Sequence, residues 1–184
     1  MNITVYLGSH CTNDPFLKES VKELGAWIGK NNHKLVYGGS KIGLMGMIAD
    51  SVLDEDGLVI GVEPEFFIDD DLQHEGLTEL IITEDLTKRK LKMIELGDAF
   101  IAFPGGTGTL DEISEIMTIS ALKHIDSPCI VYNVDGYYDS LKVLLEKMIE
   151  KGLSTKEKQK RIYFPENILE IEEILKNYES IILD

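Results

Sequence analysis

The sequence predicts an α/β domain built on a doubly wound parallel sheet. Three observations carry that prediction. Short apolar runs alternate with amphipathic segments of helical length. The runs are apolar throughout rather than at every second residue, which is the pattern of strands covered on both faces. Two of them end directly in glycine pairs, Gly38-Gly39 and Gly105-Gly106, at the strand-to-helix turns where open parallel sheets hold ligands.

The elements follow in order. Ile3 to Leu7 reads as the first strand. A glycine and a polar loop follow it, and Pro15 opens a helix to about Lys30. Proline suits a first helical position because its missing N–H has no partner there. Lys34 to Tyr37 is the second strand, and Gly43 to Leu53 is helical. Leu58 to Val62 is the third strand and Leu80 to Ile82 a short fourth, with a helix from Leu86 to Leu96. Ala99 to Phe103 is the fifth strand, followed by a helix from about Thr109 to Leu122. Cys129 to Tyr132 is the sixth strand. Tyr137 to Glu150 is helical, with Leu141, Leu144, Leu145 and Met148 on one stripe. A last helix runs from Pro165 to about Tyr178. Glu63 to Gly76, with Asp69-Asp70-Asp71, reads as a solvated loop without calcium-loop spacing. Lys151 to Arg161 reads as a charged connection.

The chain has 184 residues, 43% hydrophobic and 28% charged, the size and balance of one domain over residues 1–184 with a sizeable core. Against 18 Lys and Arg stand 33 Asp and Glu, a net charge of −15. A surface that acidic repels nucleic acid and anionic membrane. No apolar stretch is long enough to span a bilayer. The start, Met1-Asn2-Ile3-Thr4, lacks the basic and apolar regions of a signal peptide. Cys11 and Cys129 stand far apart, and the expectation is two reduced thiols in a cytoplasmic protein.

The glycine turns carry the chemistry. A strand-to-helix turn places bare N–H groups and partial positive charge at a helix N-terminus, which suits phosphate. The first turn is Gly38-Gly39-Ser40-Lys41-Ile42-Gly43. The second is Gly105-Gly106-Thr107-Gly108-Thr109-Leu110-Asp111-Glu112. Leu44-Met45 replaces the Lys-Ser/Thr of a P-loop, and Asp111 replaces the third glycine of a dinucleotide fingerprint. Neither ATP hydrolysis nor standard NAD binding is supported. The bland alternative is that both are merely tight turns.

Asp111 and Glu112 are placed in the first turn of their helix, about 100° apart around it, so one can face the crevice while the other faces water. Either can instead compensate the helix dipole. Lys88-Arg89-Lys90 and Lys92 lie together on the helix before the fifth strand, a match for an anionic ligand or for nearby acids. Gly8-Ser9, ending the first strand, offers a hydroxyl to the same crevice. His10, His33, His74 and His124 are scattered and define no metal site. No Gly-x-Ser-x-Gly elbow is present.

Pro104-Gly-Gly-Thr-Gly-Thr-Leu-Asp-Glu112 resembles the PGGxGTxxE signature of the LOG family, the cytokinin riboside 5′-monophosphate phosphoribohydrolases long labelled lysine decarboxylases. The resemblance extends through Gly8-Ser9, Leu35 to Gly39, Gly43 to Gly46, Val59 to Val62, Gly76 to Leu80, Asp98 to Ala102 and Asn133 to Tyr138. It implies a Rossmann-like fold, a homodimer and hydrolysis of the N-glycosidic bond of a nucleoside 5′-monophosphate to free base and ribose 5-phosphate. It implies no cofactor. It maps the catalytic pair onto Arg89 and Glu112. It maps substrate-binding positions onto Lys90, Thr118 and the loop from Gly105 through Gly106, Thr107, Gly108, Thr109, Leu110 and Asp111. From the residues themselves, Gly8, Ser9, Gly38 and Gly39 join that set.

The sequence departs from the family's common pattern at Leu86-Thr87-Lys88, where the family carries Met-His-Glu, at Thr107 where plant-like loops carry Tyr, and at Ile119-Ser120-Ala121. A different base pocket is expected there. A pyridoxal decarboxylase would need a Schiff-base lysine and a pyridinium partner, and neither is identifiable. The rival from another class is a non-catalytic nucleotide carrier similar to molybdenum cofactor carrier proteins.

Overall fold

The computed structural model describes residues 1–70 and 72–183. Its strands are β1 (Asn2–Tyr6), β2 (Lys34–Tyr37), β3 (Leu58–Pro64), β4 (Glu79–Thr83), β5 (Ala99–Ala102), β6 (Cys129–Val131) and β7 (Ile162–Tyr163). Its α-helices are α1 (Pro15–Lys30), α2 (Gly43–Leu53), α3 (Leu86–Leu96), α4 (Thr107–Ala121), α5 (Asp139–Glu150), α6 (Lys156–Gln159) and α7 (Ile168–Leu183). The seven strands form one sheet in the order β4-β3-β2-β1-β5-β6-β7, every pairing parallel. This is the Rossmann-like doubly wound sheet expected.

Alternation along each strand sorts side chains to the two faces. Ile3, Val5 and Leu7 pack with Val21, Leu24 and Ile28 of α1, Ile48 and Val52 of α2, and Ile171 and Leu175 of α7. Tyr6, Val36, Ile60 and Val62 face the other way. They join Met93 of α3 and Ile113 and Ile116 of α4. Both faces are therefore dry, as the uninterrupted apolar strands require. Local chemistry sets the helix starts. The Asp14 carboxylate accepts from the N–H groups of Phe16 and Leu17, with Pro15 at the first position. The Asp85 carboxylate accepts from Lys88 N–H at 2.8 Å.

The structure corrects several expected boundaries. Helix α4 begins at Thr107, two residues early, because Gly106 and not Gly108 is its N-cap. Glu112 therefore lies in the second turn, beyond the reach of simple dipole compensation. The helix expected from Tyr137 starts at Asp139, after a 3-10 turn over Val134–Gly136. The last helix runs Ile168–Leu183 rather than from Pro165 to Tyr178. Strand β3 continues to Pro64, and a 3-10 turn spans Glu65–Asp70 in the expected loop. Asp71, and the side chains of Asp69 and Asp70, fall outside the described residues, as does the reading of that acidic run. The charged connection holds α6, which buries no side chain and so carries no hydrophobic signal. Strand β7, two residues long, was too short for any periodicity.

Order β4-β3-β2-β1 runs one way from β1, and β5-β6-β7 runs the other. The strand order reverses between β1 and β5, which is where open α/β sheets leave a crevice at their C-terminal ends. Gly8 follows β1 and Gly105 follows β5. A Cβ on Gly105 would stand 2.9 Å from the Gly8 nitrogen, so the two loops approach this closely only with glycine present.

Candidate active site

A cleft of about 380 Å³ opens at that reversal point. It draws on every strand end from β5 to β3: Gly106 to Thr109 beyond β5, Gly8, Ser9 and His10 beyond β1, Gly38 and Ser40 beyond β2, and Glu63 at the end of β3. Arg89 from α3 and Glu112 from α4 complete it, with Met45, Phe67, Leu72 and Leu86 as apolar wall. Three inter-strand spacings of about 4.8 Å give the cleft a length of roughly 14 Å.

Arg89 and Glu112 meet at its centre. The guanidinium Nη1 donates to Glu112 Oε1 at 3.0 Å, and Nε donates to the Val62 carbonyl at 2.9 Å. Both side chains are nearly buried, with residue exposures of 9% and 8%. Burial pushes the Glu112 carboxyl above its usual range, and the neighbouring Arg89 charge and hydrogen bond oppose that rise. Burying an ion pair returns little stability for its desolvation. A buried, perturbed pair lining a cleft is instead the arrangement of groups held for chemistry.

The glycine at 38 is required by this pair. A Cβ there would collide with the Arg89 Nη2 and lie 3.0 Å from the Met45 methyl. Gly39 has φ +84° and leans on the Glu63 side chain, with a Cβ reaching 2.6 Å from Glu63 Cγ. Two N–H groups after this turn are already bonded, although no side chain caps α2 itself. Lys41 N–H donates to the Leu72 carbonyl at 2.8 Å and Ile42 N–H to Ser40 Oγ at 3.2 Å.

The second turn differs in the space around its glycines. No side chain caps α4, so its first N–H groups point out of the helix without an intrahelical acceptor. A Cβ at Gly106 or Gly108 would meet nothing within 4 Å. The loop is braced from behind. Tyr137 Oη donates to the Gly105 carbonyl at 2.7 Å and Tyr138 Oη to the Phe103 carbonyl at 3.0 Å. Asn133 holds this brace by accepting from Tyr138 N–H and donating to Asp139.

Among the residues expected from sequence, the cleft gathers Arg89, Glu112, Gly8, Ser9, Gly38, Gly106, Thr107, Gly108 and Thr109. Gly39 and Gly105 stand behind its wall. Lys90, Leu110, Asp111 and Thr118 lie outside it. Lys90 bridges Asp111 at 2.9 Å and Glu115 at 3.0 Å, tying α3 to α4. Those two carboxylates hold its ammonium pKa up. Thr118 is exposed and bonds back to the Ser114 carbonyl. Lys88 and Lys92 face a separate shallow depression with Ile81, Thr83 and Leu91. Of the basic cluster, Arg89 alone reaches the cleft.

Sequence reasoning missed Glu63, His10, Ser40, Met45, Phe67, Leu72 and Leu86. Glu63 was legible: it is an acid at the C-terminal end of an apolar strand, where a crevice forms. The expected strand ended at Val62, two residues short of its end at Pro64. Phe67 and Leu72 reach the cleft only because the chain near them folds back, with a bridge between Ser40 and Gln73, and no sequence pattern announces that contact.

Fold and cleft together define a Rossmann-type α/β protein with a ligand crevice at the switch point of its sheet. Among solved structures, the molybdenum cofactor binding protein of Rippkaea orientalis has a TM-score of 0.72 at 22% identity, covering 98% of this chain and 96% of that one. The molybdenum cofactor carrier protein of Chlamydomonas reinhardtii has 0.71 at 17% identity, covering 97% of both. A family model described as "Possible lysine decarboxylase" matches residues 45–175. The cytokinin riboside 5′-monophosphate phosphoribohydrolase of Rhodococcoides fascians is 38% identical over 162 residues, 88% of this chain and 82% of that protein. That of Arabidopsis thaliana named LOG1 is 40% identical over 150 residues, 82% of this chain and 70% of that protein. The chain belongs to this LOG family. Among the described residues no helix is long and apolar enough to cross a membrane.

Proposed function

We propose that this chain hydrolyses the N-glycosidic bond of a nucleoside 5′-monophosphate, AMP or a cytokinin riboside 5′-monophosphate, to free base and ribose 5-phosphate. The observation that carries this reading is the buried Arg89–Glu112 pair at 3.0 Å, in one cleft with the uncapped, glycine-lined start of α4. The names of the curated relatives support the same reaction class.

The 5′-phosphate lies against the N–H groups of α4, where backbone and helix dipole favour an anion. The ribose then lies beside Arg89 and Glu112. As the glycosidic bond breaks, positive charge develops on the sugar ring, as in an oxocarbenium ion. The Glu112 carboxylate stabilises that charge and orients the attacking water. Arg89 keeps Glu112 ionised in a site that otherwise favours the neutral acid, and its planar fork fixes the carboxylate's direction.

The same reading includes a homodimer. Leu86 and Leu91 of α3, Leu110 of α4 and Leu122 just after it are exposed at 42–61%, more apolar surface than a lone helix pair needs on its solvent side. Light scattering at micromolar concentration tests it, with a monomer as the refuting result.

Incubation with AMP followed by chromatography for free adenine tests the reaction. Release of adenine and ribose 5-phosphate is expected, with adenosine a far poorer substrate. Tight AMP binding without adenine release would favour the carrier alternative.

A further inference from the structure

Glu63 is a second carboxyl group in the cleft, and nothing in the mechanism above uses it. It is the next-to-last residue of β3 and is 2% exposed. Its Oε2 is buried and has no hydrogen-bond partner among the described residues. A buried polar oxygen left unpaired costs stability, and it lines the one cleft that holds Arg89 and Glu112. The structure accommodates it at further expense: the residue it leans on, Gly39, has φ +84° and no room for a Cβ.

Its place along the cleft gives its task. The open start of α4 lies beyond β5, at one end, and Glu63 lies three strands away at the other. Arg89 spans the middle, bonded to Val62 of β3 and Glu112 of α4. A nucleoside monophosphate with its phosphate on α4 and its ribose at the Arg89–Glu112 pair therefore brings its base to Glu63. The surrounding wall of Met45, Phe67 and Leu72 suits a flat, apolar ring.

We propose that Glu63 is the general acid that protonates the departing base, its unpartnered Oε2 donating to a ring nitrogen. This rests on the phosphoribohydrolase reading. The bond from C1′ to the base nitrogen breaks with its electron pair going to the base, which takes the Glu63 proton. Water adds hydroxide to C1′ and gives its proton to Glu112. Solvent returns one proton to Glu63 and removes one from Glu112, so the sum is base plus ribose 5-phosphate. Burial raises the Glu63 pKa, against a lowering by the Gln73 amide and the Arg89 charge, and so favours the proton-bearing form. The two acids divide the work, Glu63 at the base and Glu112 at the sugar.

The test compares two substrates. AMP leaves as a base that needs a proton. The 4-nitrophenyl β-riboside 5-phosphate leaves as a stable anion that needs none. General acids contribute about 100- to 10,000-fold. Glu63→Gln, which keeps the shape, is expected to lower kcat for AMP at least 100-fold and to lower nitrophenol release less than about threefold. Retained nitrophenol release also shows that the variant is folded. Glu112→Gln is expected to slow both substrates. Equal losses on both for Glu63→Gln, or no loss on either, would overturn the assignment and leave the reaction standing. Wild-type protein that cleaves neither substrate would overturn the phosphoribohydrolase reading itself.

Discussion

The two glycine turns look alike in sequence and differ in what surrounds their glycines. Each follows an apolar strand and precedes a helix. At Gly106 and Gly108 the missing side chains leave open space in front of unpaired helix N–H groups. At Gly38 and Gly39 the space is filled by the protein itself, by Arg89 and Glu63. The N–H groups that follow are bonded to Leu72 and Ser40. One turn leaves open space at the head of a helix, and the other makes room for the side chains of Arg89 and Glu63. Glycine after a parallel strand thus marks close approach, without saying what approaches.

Substitutions that restore a side chain separate the two roles. The largest effect is expected at Gly38→Ala, where the new methyl displaces the Arg89 guanidinium. The expected result is a fall in kcat for AMP of about 100-fold or more, with phosphate affinity kept. If Gly38→Ala instead raised only KM, the first turn would be a phosphate cradle after all. Arg89→Lys is expected to be comparably damaging. It keeps the charge but loses the planar fork that engages Glu112 and Val62 together. Wild-type kcat for Arg89→Lys would mean that diffuse charge suffices.

At the second turn the effect moves to binding. Gly106→Ala and Gly108→Ala meet no atoms within 4 Å, so the fold is expected to hold. Methyl groups in front of the N–H groups should raise KM for AMP about tenfold and erode the preference for AMP over adenosine. Unchanged competition between AMP and adenosine would remove the phosphate from α4.

A smaller effect sharpens the role of Glu63. Its pKa is raised above 4.5 by burial. The stability it contributes is therefore complete below that value and is lost as pH rises through the folded-state pKa. Glutamine carries no such dependence. The melting temperature of Glu63→Gln relative to wild type should therefore climb as pH rises above about 4.5. A flat difference would mean that Glu63 is not desolvated. The smallest effect is expected at Lys90→Ala, which removes partly exposed pairs with Asp111 and Glu115. A stability loss of about 1 kcal/mol or less follows for such pairs, with KM for AMP little changed. A large rise in KM would restore Lys90 to the binding set.

By itself the sequence determined six of the seven described strands and six of the seven described α-helices, and it pointed to Arg89 and Glu112. Uninterrupted apolar strands and helix-period stripes are local patterns, and burial on both faces of a parallel sheet has few other solutions. The bounds of α1, α2 and α3 were legible because proline, aspartate caps and glycine act on neighbouring residues. Glu112 was found through a motif whose residues are contiguous, and Arg89 through the resemblance to the family. Tertiary structure alone decided the rest. Whether Lys90 reaches the cleft depends on which side of α3 faces α4. Whether Gly38 serves ligand or protein depends on Arg89, 51 positions away in the chain. The acid at Glu63 and the wall of Met45, Phe67 and Leu72 come from three separate stretches of chain. Such contacts depend on long-range packing, which leaves no periodic trace in the residues that make it.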